Sequence, residues 1–132
     1  MIDKSNEIFA LIAKRLKKDF PDITVIGESV DKPTKFPTVT VDEISNLPTE
    51  IDSSEMNKYA VVRYRVQVFT TNTRKRAEAR MIYSVVDEVL QGVNLNCKVF
   101  STTPEVYNSK VYQITATHEG VIHESGVIFR SK

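Results

Sequence analysis

The stretch Tyr59–Leu90, YAVVRYRVQVFTTNTRKRAEARMIYSVVDEVL, decides the fold because its two halves carry different periods. In the first half Ala60, Val62, Tyr64, Val66 and Val68 alternate with Arg63, Arg65 and Gln67. A period of two sets an apolar face against a polar one, which predicts a half-buried antiparallel strand. In the second half Ala79, Ile82, Val85, Val86, Val89 and Leu90 recur at helical spacing and leave Arg76, Arg80, Asp87 and Glu88 largely outside the stripe. No Gly or Pro interrupts this helix, so it can lie on the apolar face of the sheet. The basic cluster Arg74, Lys75 and Arg76 stands where the two meet.

Working outward, residues 3–18 predict an amphipathic helix with Ile8, Leu11, Ile12 and Leu16 on one face and Phe9 beside it. Lys14, Arg15, Lys17 and Lys18 crowd its last turns, where cations favour the negative end of the helix dipole. Pro21 stops it, and 23–26 reads as a short strand. After a turn-rich connection, 37–44 alternates Val39 and Val41 with Thr38, Thr40 and Asp42, a second strand. The polar segment 46–58 shows neither period and predicts a long loop that orders against a neighbour.

Beyond the central helix, Gly92 is the expected helix stop, and Cys97, Val99 and Ser101 point one way along a strand that Pro104 closes or bends. Residues 111–122 repeat the central pattern, with Tyr112, Ile114, Ala116 and Ile122 facing one way and Gln113, Thr115, Thr117 and Glu119 the other. A turn at Glu124-Ser125-Gly126 leads to a closing strand at 127–130. The order predicts an α+β domain over 1–132, an antiparallel or mixed sheet with two main helices on one face. The polar strand faces are then left for water or another subunit.

The 132 residues suit one domain, and 41% hydrophobic with 27% charged residues is ordinary for a soluble globular chain. A net charge of +1 argues against a global basic field of the kind many nucleic-acid binders use. The single Cys97 cannot form an intramolecular disulfide, and no apolar run is long enough to span a bilayer. The beginning of the chain lacks a signal-peptide pattern, and the expectation is a protein made in the cytoplasm, with no membrane partner.

Chemistry-bearing motifs are missing. His118 and His123 are five apart, not the four on a helix that a zinc protease needs, and on a strand they fall on opposite faces. One is expected near the packed face and the other near a turn. Cys97 has no local base and reads as a small buried hydrophobe. Asp42-Glu43 and Asp87-Glu88 are adjacent pairs that do not face each other, and no two of the four glycines are close enough to cradle a phosphate. No catalytic residue, cofactor or metal site is expected. Arg74, Lys75 and Arg76 oppose the helix dipole. They either form a solvated helix end or meet phosphate or a neighbour's acids, such as Glu50, Asp52 and Glu55.

Several segments together resemble the tail terminator, or tail completion, proteins of bacteriophages and prophages. Phe36-Pro-Thr-Val-Thr-Val41 resembles their first sheet strand, and Tyr64-Arg-Val-Gln-Val-Phe69 their long central one. Thr73-Arg-Lys-Arg-Ala-Glu-Ala-Arg80 with Val85-Val-Asp-Glu-Val-Leu90 resembles the following helix. Residues 111–122 and Gly126-Val-Ile-Phe-Arg130 resemble the closing hairpin, and the N-terminal helix with Val25-Ile26-Gly27 also fits. The basic run 74–76 departs from the pattern.

The resemblance implies a non-enzymatic virion protein, a homo-oligomer, in the family a hexameric ring. Such a ring caps the tail tube, ends tube polymerisation and presents a surface to the head or neck. Its implied partners are the tail tube protein and a neck or head-completion protein, at the head-proximal end of the tail after assembly in the host cytoplasm. Related folds serve in head-tail joining, and a small nucleic-acid-binding domain is the reading from another class. The residues expected at a subunit interface, or at a lumen touched by passing DNA, are Glu50, Asp52, Glu55, Arg63, Arg65, Gln67, Arg74, Lys75, Arg76 and Arg80.

Overall fold

A computed structural model of the chain describes residues 3–28, 33–49, 59–71, 74–106 and 110–131. Two helices, α1 (Ser5–Asp19) and α2 (Lys75–Gly92), pack on one face of a six-stranded mixed sheet. The strands are β1 (Thr24–Ile26), β2 (Thr38–Thr49), β3 (Tyr59–Thr71), β4 (Asn96–Val106), β5 (Val111–His123) and β6 (Ile128–Arg130). They lie in the order β1-β2-β3-β5-β4, with β6 also on β5. Only β1 and β2 run parallel; the other pairs are antiparallel. The expected α+β architecture is the observed one.

Alternation along β3 and β5 builds the core. Ala60, Val62, Tyr64, Val66 and Val68 are all buried, opposite Ile122, Gly120, His118, Ala116 and Ile114 of β5. Ile82, Val86 and Leu90 of α2 and Ile8, Ile12 and Leu16 of α1 close over them. Val85 and Val89 are half-buried at the margin of the same cluster. Buried Tyr64 donates its hydroxyl to Glu43 Oε2 at 3.0 Å; burial, with Glu43 beside it, pushes the phenol pKa up. Thr70 ties the end of β3 to the start of α2 by donating to the Lys75 carbonyl at 2.6 Å.

Four expectations are corrected. Leu11 is 47% exposed, because Ile8, Ile12 and Leu16 form the inward line with Phe9 on its inner flank, and Leu11 falls on the outer flank. The first four residues of the expected loop 46–58 belong to β2, pairing Asn46–Thr49 with Val62–Tyr59. Pro48 hides this in the sequence, yet an edge strand tolerates its missing N–H. α2 ends at Gly92, the expected stop, and the left-handed turn beyond it falls on Asn94 at φ 65°.

The other two corrections concern β4. A bulge between Cys97 and Val99 sets Cys97 opposite His118 on the helix-covered face and Val99 opposite Thr117 on the other, so the two do not share a face. Cys97 is half-buried, not fully buried, and Val99 is 59% exposed. Of the two outcomes expected at Pro104, closing or bending, the strand is not closed: it runs on to Val106 with a second irregularity in register between Thr103 and Val106.

Candidate functional site

The sheet face turned away from the helices carries the polar halves of β3 and β5, and cross-strand register sorts it into rows. Ser45, Arg63, Glu119 and Asn96 lie across one row, and Asp42, Arg65, Thr117 and Val99 across a second. Thr40, Gln67, Thr115 and Ser101 lie across a third. Arg63 Nε donates to Glu119 Oε1 at 2.7 Å, and the Ser131 hydroxyl donates to Glu119 Oε2. These two donors, Ser131 first, hold the Glu119 carboxyl below its ordinary pKa.

Arg65 faces Asp42 at 3.6 Å, while its Nε is buried with no acceptor among the described residues. Thr40 donates to Gln67 Oε1 at 3.1 Å. The face closes toward Phe69, which is buried together with Thr38, whose hydroxyl donates to the Lys35 carbonyl at 2.6 Å.

A fourth row lies at the opposite end, Leu47, Val61, Val121 and Phe129, and it is wholly apolar. Leu47 is 60% exposed and Phe129 49%. Tyr59 and His123 pair directly beyond this row, with their rings 4.8 Å apart and Phe129 6.4 Å from Tyr59. The row escapes a sequence reading because its members come from four strands. Only the register assembles them.

The expected site residues divide into two groups on opposite sides of the molecule. Arg63, Arg65 and Gln67 do share the open face. Arg74, Lys75, Arg76 and Arg80 stand on α2, over the other face. Arg74 lines a cavity of about 360 Å³ with Asp19, Asp22 and Glu78 around Phe20, Ile23, Met81 and Ile82. Arg76 and Arg80 are exposed, and Lys75 is half-buried. Glu50, Asp52 and Glu55 lie outside the described residues.

No protein-family model and no curated protein matches the chain. The fold is found in a solved virion. A chain in the virion of a native gene transfer agent particle superposes with a TM-score of 0.56 at 15% identity, covering 85% of this chain and 81% of that one.

Among the described residues no group of three or more His, Cys, Asp or Glu side chains could hold a metal ion. No helix among them is long and apolar enough to cross a membrane. The most chemical-looking cluster is structural. His118, fully buried, has Nδ1 3.0 Å from the Leu95 carbonyl and Nε2 2.8 Å from the Tyr83 hydroxyl. A carbonyl can only accept, so Nδ1 carries the proton and Nε2 accepts from Tyr83. Burial pulls the His118 pKa down, against the opposing pull of the Leu95 carbonyl and of Asp87 at 3.9 Å. His123 caps the β5–β6 turn through the Ser125 hydroxyl at 2.7 Å.

Proposed function

We propose that this chain is a structural virion protein, a non-catalytic ring subunit that ends a phage-type tail tube and presents a surface to the head or neck. The observation that carries the reading is the fold shared over 85% of the chain with a component of a gene transfer agent virion. The open sheet face supports it. Its charges are largely answered within the chain, Arg63 by Glu119 and Arg65 by Asp42, which suits a protein contact better than a phosphate one. Its partners on this reading are further copies of itself, the tube protein and a neck or head-completion protein.

Light scattering on the purified chain, followed by electron microscopy with tail tubes added, tests the reading. The expected result is a ring in solution or at tube ends. A strict monomer at every concentration that leaves tube ends bare and growing would overturn it.

A further inference from the structure

The helix layer leaves the last strand of the sheet partly uncovered. β4 ends the strand order, and on its helix-side face Phe100 is 41% exposed, with Thr102 exposed beside it. Tyr83 of α2 reaches across to this strand, its ring centred 5.1 Å from that of Phe100 and its hydroxyl 2.8 Å from His118 Nε2. Residues 76, 80, 83 and 87 recur at helical spacing, so Arg76 and Arg80 stand on the flank of α2 that Tyr83 turns toward β4. The flank is therefore a shallow trough, with an aromatic floor and two guanidinium groups along its upper wall.

Both arginines are exposed, and no ion pair to either is found among the described residues. Arg76 lies in the first turn of α2, where the helix dipole favours acids, and the first-turn acid, Glu78, lines the cavity on the opposite flank with Met81. The stability of the helix does not account for the pair. Asp87, the acid on this flank, lies beyond Tyr83 and is turned to His118 at 3.9 Å.

We infer that this trough binds an extended acidic segment of another protein, in which two carboxylates two residues apart flank an apolar side chain. The spacing carries the match. Arg76 and Arg80 are about one turn apart, about 6 Å along the helix, and alternate side chains of an extended chain repeat at about 6.8 Å. Two such carboxylates each take the fork of one guanidinium, while the side chain between them points the other way, onto Phe100. A second copy is a poorer source, since the strand acids Asp42, Glu43 and Glu119 are engaged by Arg65, Tyr64 and Arg63. A nucleic acid fits less well too, because the two arginines of this flank neutralise too few phosphates to hold a strand at physiological salt. The inference goes beyond the ring reading and does not depend on it.

The test follows the backbone amides of the full-length chain by NMR while an end-capped peptide, Gly-Glu-Leu-Glu-Gly, is added. Shifts are expected at Arg76, Arg80, Tyr83 and Phe100. Replacing both glutamates of the peptide by glutamine, or combining Arg76→Ala with Arg80→Ala in a protein checked for native melting, should weaken binding by about tenfold or more, because charge-assisted contacts are lost. Phe100→Ser should weaken binding of this peptide and leave that of Gly-Glu-Ser-Glu-Gly unchanged, since only the first places an apolar side chain on the ring. Absence of shifts at these residues, or undiminished binding by the glutamine peptide or the arginine variant, overturns the inference. Stronger binding of oligothymidylate at the same residues assigns the trough to phosphate, and shifts there that grow with protein concentration alone assign it to a second copy. Either result also overturns it.

Discussion

His118 is the residue whose chemistry is most constrained by its surroundings. Its ring is buried among Leu95, Tyr83 and Asp87, and its pKa lies below the ordinary 6.5. The folded state therefore binds this proton less readily than the unfolded chain. The corresponding stability is fully present above about pH 6.5 and is lost as the pH falls through that value toward the folded pKa, at up to about 1.4 kcal/mol per pH unit. Urea unfolding at pH 7.5, 6.5 and 5.5 should show this decline. A His118→Gln variant, which keeps a donor for Leu95 and an acceptor for Tyr83, should flatten it.

At the scale of elements, β3, α2 and β5 are legible in the sequence because each carries a clean period over ten residues or more. The end of β2 is not, since Asn46, Pro48 and Thr49 lack strand character and gain their place only by pairing with β3. The bulge at Cys97 is equally silent: one inserted residue reverses every face after it, and no local signal announces it. The same limit governs the site. Arg63, Arg65 and Gln67 follow from alternation in one strand, whereas Asp42, Glu119 and the row from Leu47 to Phe129 need the register between strands.

Gly120 illustrates what the register demands. A Cβ there would stand 2.7 Å from Leu95 Cδ2, 3.0 Å from the Asn94 carbonyl oxygen and 3.2 Å from Ile128 Cγ2. The connection after α2 and the closing strand both press on that backbone, with Asn94 Nδ2 donating to the Ile128 carbonyl at 2.9 Å. Gly120→Ala should cost about 1–3 kcal/mol in chemical denaturation, since the backbone oxygen cannot swing away as a side chain can.

For the whole molecule, charge is divided between two surfaces. The open sheet face balances its arginines with Asp42 and Glu119, and further cations, Lys14, Lys18, Arg76 and Arg80, stand exposed on the two helices. Among the described residues the open sheet face pairs its arginines with acids, so it does not interleave exposed rings with free cations, the combination that sequence-independent binding to single strands uses. Titration against single-stranded and duplex DNA at two salt concentrations should show no tight, steeply salt-dependent affinity. A steep slope would favour the nucleic-acid reading over the assembly one.

The place of β5 has a consequence for how the protein is made. Its residues pair with β3 along all thirteen positions and hold β4 and β6 on the other side. A ribosome delivers β3 some fifty residues before this partner. The nascent chain can close the β2–β3 hairpin early, but the inner edge of β3 stays bare until translation has passed Gly120 and β5 has left the exit tunnel. Completion of the sheet thus waits for β5, and a truncated chain ending before residue 111 would expose the very strand that organises the finished sheet.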